Sequence, residues 1–448
     1  VKQNNQMLTG GILRPILAFF FPILVGAFFQ QLYNTVDAIV VGQFAGTVAL
    51  ASVGGSAGQV TGFIFSFFMG LSTGATVIIA QNIGADRPKE VDIALHTAYT
   101  FGLIGGVILG VLGILFSVPL LNLLQTPADL MESSGVYMRI LLGGLVFTLI
   151  YNMGSGILRA AGDSKRPLYI LIVCCGVNIV LDILMVAVLH MGVMGAAIAT
   201  DISQAVSAVL ITWILCRHTQ GMKLEIRKLR IDGQMLGKVL QIGFPTALAG
   251  SMFSVANMIL QTSVNRMGVN PVAAWTAYGK VDSLWWMIDS AFSTSITTFV
   301  GQNYGARQPQ RIRRGILEVL ILEIVAGALM SALFIHFGQY ILALFTDNKE
   351  VVSIGIMLAA IITPFYAIYA VNEVLAAALR AEGYVMFATI ANLIGVFVFR
   401  IIWIKVIYPD GGMSQVMWCY PISWTLITIF VAVYYFAKQK KTLETIGG

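Results

Sequence analysis

The chain has 448 residues, of which 58% are hydrophobic and only 11% charged, with a formal net charge of +6. A soluble domain carries about 25% charged residues, so this composition cannot cover a globule in water. A mean hydropathy of +0.84 makes a bilayer its solvent.

Spans of about 20 or more mostly apolar residues, enough to cross a bilayer, recur along the whole length. The start, "VKQNNQMLTGGILRP", is short and polar and runs directly into the first span, so no cleavable signal peptide is expected. Twelve helices are predicted, at 13–43, 47–78, 91–117, 130–158, 166–188, 193–217, 235–265, 271–301, 312–337, 351–379, 385–407 and 414–436. They are helices because an open sheet cannot satisfy its backbone in lipid.

Assigning the connections alternately to two sides separates the basic residues. Of the 27 lysines and arginines, one side receives only Arg139, Arg266, Lys349 and Lys405, and Lys280 and Arg400 fall inside spans. All the others, from Lys2 and Arg14 to Lys438, Lys440 and Lys441, collect on the opposite side. The positive-inside rule makes that side the cytoplasm and places both termini there, in a multi-pass protein of the cell membrane. The basic balance is therefore a topology signal, and no nucleic-acid partner is expected. Cys174, Cys175, Cys216 and Cys419 form no C-x-x-C pair and lie in or at the end of spans, so neither a disulfide framework nor a zinc site is expected.

The chain repeats itself. "QNIGADRPKEV" at 81–91 resembles "QNYGARQPQRI" at 302–312, and "LRAAG" at 158–162 resembles "LRAEG" at 379–383, both at an offset of 221. Pro22 and Pro245, each after a phenylalanine in the first helix of its half, agree within two residues of that offset. Two halves of six helices follow: residues 1–218 and 235–448, joined by a charged cytoplasmic linker at 219–234. Six is even, so both halves enter from the same side, as parallel repeats related by an axis along the membrane normal. Such symmetry commonly serves a binding site exposed alternately to either side. The repeated loop has a plainer reading: Gly-Ala closes one helix, and Pro88 or Pro309 opens the next, where a missing N–H does no harm.

The buried polar residues carry the functional signal. Asp37 lies in "YNTVDAIVV" with no basic residue beside it, about 9 Å below the outer end of the first helix at 1.5 Å per residue. Asp182, in "GVNIVLDILMV", lies about 9 Å down the fifth helix, with Asn178 one turn deeper on the same face. Thr200 lies about 10 Å down the sixth. Oxygen-bearing side chains from three helices thus share one depth. The charged form of an isolated carboxylate is disfavoured there, and two neighbouring carboxylates best share one proton. The set suits an exchangeable proton or a small hard cation with oxygen ligands. On the first helix Gln30, Asn34 and Asp37 line one face. Gln30, Asn34 and the adjacent Tyr33 are candidates to line a substrate cavity.

In the second half Asp282, Trp285, Trp286 and Asp289 form one stripe of the eighth helix. Acid beside indole suits an aromatic or lipophilic cation, although core tryptophans give the same pattern. Lys280, on another face, is expected to pair with an acid of a neighbouring helix. Asn372, Glu373 and Glu323 are further polar candidates, and Glu318 is expected to snorkel to the cytoplasmic surface. The 19 methionines suit an adaptable cavity, and equally a core or lipid-facing surface. Pro22, Pro245 and Pro364 interrupt helix interiors. Pro22 lies below Asp37 on one helix, so a bend there is a candidate gate. "GLIGGVILGVLG" at 102–113 reads as close helix packing.

No G-x-x-x-x-G-K-[ST], H-E-x-x-H or G-x-S-x-G occurs, so no P-loop, zincin or serine-hydrolase site is encoded. His96, His190, His218 and His336 are scattered and expected at interfaces. No cofactor is expected beyond a coupling ion, sodium or proton.

Together the Pro22-to-Asp37 helix, the twinned Q-N-x-G-A loops, the L-R-A-x-G helix ends and "VNIVLD" resemble the multidrug and toxic compound extrusion (MATE) family of secondary transporters. The seventh helix, "GFPTALAGSMFSVANMILQ", has no acid, which looks most similar to the DinF-like branch. The resemblance implies an all-α membrane protein of twelve helices in two pseudo-symmetric, V-arranged lobes. It also implies export of cationic, amphipathic compounds against inward proton or sodium flow. The family's first-lobe cation site falls on Asp37, Asn178, Asp182 and Thr200 here. Asp201 is an additional acid without an assigned role.

Two other readings compete. A flippase for a lipid-linked saccharide would line a cavity with several basic residues, and only Lys280 and Arg400 lie within spans. An intramembrane aspartyl enzyme would need Gly-Asp within a span, but the Gly-Asp of "AAGDSKRP" lies in a loop. The expected partners are small cationic or amphipathic molecules and the lipid bilayer, and a monomer is expected.

Overall fold

A computed structural model of the chain describes residues 6–124, 126–217 and 222–447, without the side chains of Thr47 and of 439–447. Lys2, His218 and residues 219–221 of the linker lie outside the described residues, as do the side chains of Lys440 and Lys441.

All regular structure among the described residues is helical. In chain order the long helices are α1 (Leu13–Ala45), α2 (Val48–Gly84), α3 (Pro88–Leu123), α4 (Ala128–Gly143 with Leu145–Ala160), α5 (Lys165–Val188) and α6 (Gly192–Arg217). They continue as α7 (Gly233–Asn265), α8 (Val269–Gly305), α9 (Pro309–Ala343), α10 (Lys349–Glu382), α11 (Val385–Ile407) and α12 (Met413–Lys438). Ten are long and apolar enough to cross a membrane singly, and α4 is a broken span bent by 46°. The twelfth, α8, has 37 residues but carries Lys280, Asp282 and Asp289 along it. This is the all-α membrane architecture that the composition predicts.

The details depart from an even ladder of straight helices. α2 runs on to Gly84, past the expected 78, because hydropathy marks only the apolar part of a helix, and α3 runs past the expected 117 to Leu123, straight through Pro119. α4 breaks at the adjacent glycines Gly143 and Gly144, where no side chain stiffens the turn. α10 tightens into a 3-10 turn, Thr363–Phe365, around Pro364. Wide π-helical turns occur at Val41–Ala45, Ile183–Val188, Leu393–Val398 and Trp403–Ile407. The offset of 221 carries 183–188 onto 404–409, overlapping the last of these.

The glycine series packs α3 on α4 as its pattern predicts. A methyl group at Gly106 would come within 2.6 Å of the Val146 Cα, and one at Gly110 within 2.7 Å of the Leu142 carbonyl oxygen. The twinned loops match down to the backbone. Asp86 and Arg307, 221 apart, both adopt φ of 55°. Arg87 N–H donates to the Asn82 carbonyl and Gln308 N–H to the Asn303 carbonyl, each at 3.0 Å. Pro88 and Pro309 open the next helices.

The chain divides into two compact units. Phe21–Ala247 form the first, and Gln6–Phe20 with Leu248–Gly448 form the second. The division thus falls inside α1 just before Pro22 and inside α7 just after Pro245. In the second unit the Arg311 guanidinium gathers the carbonyls of Met7, Thr9, Gly10 and Gly11. In the first unit the described part of the linker docks through Met222 and Leu224, both buried. His96 is buried here rather than interfacial. Its Nε2 accepts from the Glu225 N–H at 3.1 Å, which leaves Nδ1 to donate to the Asp92 carbonyl at 2.8 Å. Outside the spans, the Glu225 carboxylate is held below its usual range by its hydrogen bond to the Lys228 ammonium.

Candidate functional site

In the first unit, α1 and α5 bring Asp37, Asn178 and Asp182 into one buried group. Asp37 is 9% exposed, and Asn178 and Asp182 are fully buried. A turn apart on α5, Asn178 and Asp182 project from one face. The π turn Ile183–Val188 begins right after Asp182, and another follows Asp37 at Val41–Ala45. Such turns interrupt regular helix at functional positions. Asp37 and Asp182 are neighbours, and the Asn178 amide lies beside Asp182. As placed, these groups face one another without a formed bond: Asp37 Oδ1, both Asp182 oxygens and both amide atoms of Asn178 are buried without a hydrogen-bond partner. Buried polar groups are normally satisfied, and several hard oxygens left open in one place match a proton or an alkali cation. Among the described residues no group of three His, Cys, Asp or Glu side chains could hold a metal ion. Asp37 and Asp182 offer two carboxylates, beside the neutral oxygen of Asn178.

Thr200 joins this set through Tyr33, whose hydroxyl donates to Thr200 Oγ1 at 3.1 Å. Gln30 and Asn34 share the α1 face but are exposed, outside the buried group. Depth reasoning missed Tyr137 of α4, which is buried and close enough to feel the charges of Asp37, Asp182 and Asp201. It carries no charge, so a search for acids passes over it. Asp201, adjacent to Thr200, packs its carboxyl against Gly144, whose own N–H donates to the Ile140 carbonyl at 3.0 Å. It thereby braces the break in α4.

In the second unit the α8 stripe faces the protein interior. The Asp282 carboxylate accepts from the Tyr278 hydroxyl at 3.1 Å, from Trp286 Nε1 at 2.7 Å and from the Tyr366 hydroxyl. Trp285 is fully buried and stacks on Tyr366 with ring centroids 4.7 Å apart. Asp289 is 5% exposed and neighbours Glu323, which is fully buried with neither oxygen bonded. Glu373 is paired with Arg380 and accepts from the Ser293 hydroxyl at 2.7 Å. Lys280 departs from expectation: it is exposed and makes no salt bridge among the described residues, because its face of α8 points away from the buried acids. Glu318 pairs with Arg314 at 2.9 Å near the start of α9.

Comparison with known proteins follows this geometry. A family profile described as MatE matches residues 22–184 and 245–404, so each repeat matches separately. The probable multidrug resistance protein YoeA of Bacillus subtilis is 27% identical over 445 residues, covering 97% of this chain and 96% of that protein. The FAD transporter of Shewanella oneidensis is 25% identical over 449 residues, covering 98% and 97%. A crystal structure of MATE in the bent conformation superposes with a TM-score of 0.92 at 23% identity, covering 100% of both chains. At that identity the likeness speaks for the fold alone.

Proposed function

The chain belongs to the MatE family of membrane transporters, and from that premise we propose that it is an antiporter driven by protons or sodium that exports cationic amphipathic compounds by alternating access. The carrying observation is the group of buried, unbonded oxygens of Asp37, Asn178 and Asp182 in the first unit. Two carboxylates in so dry a place require a positive charge between them. A cation that enters neutralises the group, and its departure restores the repulsion, so the ion's binding energy is available to bias a conformational equilibrium. Thr200, held by Tyr33, supplies a neutral oxygen. Pro22, on the same helix as Asp37, gives α1 a place to bend with the ion's presence. Gln30, Tyr33 and Asn34 on α1, with Asp282, Trp285 and Asp289 on α8, are assigned to substrate.

The multidrug resistance proteins among the relatives support the substrate class. The acid-free α7 supports the DinF-like branch. The skew of lysine and arginine supports a cell-membrane protein with both termini in the cytoplasm. The functional halves are residues 1–218 and 235–448, and the transporting unit is the monomer.

The test is extrusion of rhodamine 6G from proteoliposomes under an imposed sodium gradient at constant pH, or an imposed pH gradient without sodium. One gradient is expected to drive extrusion, and Asp37→Asn and Asp182→Asn each to abolish it. Driven extrusion that survives in the double amide refutes the reading.

A further inference from the structure

The repeat carries the first unit's ion site onto α7, α11 and α12, the counterparts of α1, α5 and α6. The second unit places a different chemistry there. Arg400, at the position of Ile179 one residue past Asn178 under the offset of 221, is fully buried. Its Nη1 donates to Asn257 Oδ1 of α7 at 3.1 Å, and the Tyr420 hydroxyl of α12 donates to the same oxygen at 3.4 Å. The guanidinium carbon lies 4.0 Å from the Tyr420 ring centroid and 5.5 Å from that of Phe253.

Arg400 makes no salt bridge among the described residues, and its Nε and Nη2 are buried without an acceptor. Asp282 does not supply one, since its oxygens are occupied by Tyr278, Tyr366 and Trp286. A buried guanidinium with two unmade bonds is strongly unfavourable unless an anion meets it. Nε and Nη2 form the edge that a carboxylate or phosphate grips with two parallel bonds. Asn257 and Phe253, both against the guanidinium, are only half-buried. Wide turns at Leu393–Val398 and Trp403–Ile407 flank Arg400, as such turns adjoin Asp37 and Asp182 in the first unit.

We propose that Arg400, oriented by Asn257 and Tyr420, recognises the anionic group, carboxylate, sulfonate or phosphate, of an aromatic substrate. The duplicated site thus has opposite polarity in the two halves: one takes the coupling cation and the other takes the negative end of the cargo. Tyr420 and Phe253, already against the guanidinium, supply ring faces for an attached aromatic system. This inference rests on the exporter reading and extends its substrates to anions and zwitterions.

Fluorescein and rhodamine 6G share a xanthene core and differ in charge, so they separate the two readings. The assay is saturable fluorescein binding to the full-length protein in phosphatidylcholine vesicles, beside rhodamine 6G extrusion by the wild type. Fluorescein is expected to bind, and Arg400→Gln to weaken it at least tenfold. Asn257→Asp, which is isosteric and supplies the guanidinium with an internal counter-charge, is expected to weaken it to a similar extent. It decides the question alone should Arg400→Gln not fold. Absence of fluorescein binding in the wild type, or less than a twofold change in the folded variants, overturns the proposal. So does loss of fluorescein binding when phosphatidylglycerol is added, because a lipid headgroup then owns the site. Rhodamine extrusion without fluorescein binding sinks this inference and spares the exporter. Fluorescein binding without driven extrusion of rhodamine does the reverse.

Discussion

Gly144→Ala tests how the broken helix is tied to the ion site. Gly144 stands at the 46° bend of α4. A methyl group there would lie 2.2 Å from the Asp201 carboxyl carbon and Oδ1, and 2.5 Å from Oδ2. Carbon and oxygen normally stay about 3.3 Å apart, so the carboxyl must retreat by about 1 Å. That withdrawal strains the packing, at a cost of about 1–3 kcal/mol. Asp201→Ala removes the obstacle, so the double variant is expected to recover most of that cost relative to the sum of the single changes. Thermal unfolding of wild type, both single variants and the double variant in one detergent measures this coupling. If Gly144→Ala lowers Tm equally with and without Asp201, the carboxyl is not what the glycine accommodates, and the argument fails.

Tyr33→Phe removes the hydrogen bond that orients Thr200, worth about 0.5–1.5 kcal/mol. Half-saturation of extrusion by the coupling ion is expected to move about two- to tenfold upward, and an unchanged ion dependence removes Tyr33 from the site. Gly106→Val forces a side chain into Val146 and is expected to destabilise by about 1–3 kcal/mol. Gly105→Ala, with nothing within 4 Å of the added carbon, is expected to leave Tm unchanged. Arg380→Gln strands Glu373 in the second unit, at about 3–5 kcal/mol for a buried pair broken on one side. Adding Glu373→Gln should restore most of the lost thermal stability, and equal loss in single and double variants argues against the pair.

Much of this was legible because rise per residue is constant in a helix, so position in the chain becomes depth in the membrane. Asp37, Asn178 and Asp182 share a depth on their helices and are neighbours in the first unit, whereas Thr200 is tied to α1 through Tyr33. The Q-N-x-G-A repeat was visible as letters and recurs as matched torsions at Asp86 and Arg307. Other features leave no such trace. Asp201 packs over a glycine, which has no side chain to announce the contact, so nothing in the sequence points to Gly144. The donors to Asp282 come from α8 and α10, and only folding brings Tyr366 to it. His96 looked interfacial because a histidine in a span has no periodic signature, and its acceptor role depends on the distant Glu225. The division inside α1 and α7 is invisible because apolar residues run unbroken across it, and only Pro22 and Pro245 mark the place.

The wide turn shared by Ile183–Val188 and Trp403–Ile407 bears on ancestry. A π turn is in effect a helix with one residue inserted, and an insertion present at the same place in both copies is most simply older than the duplication that made them. The side chains beside it have since diverged: Asp182 stands where the other copy has Trp403, and Ile179 where it has Arg400. The backbone irregularity is the better record of the ancestral gene. Deleting a residue from either turn would rotate everything beyond it by about 100°, which makes the register of these two helices harder to change than any single group they carry.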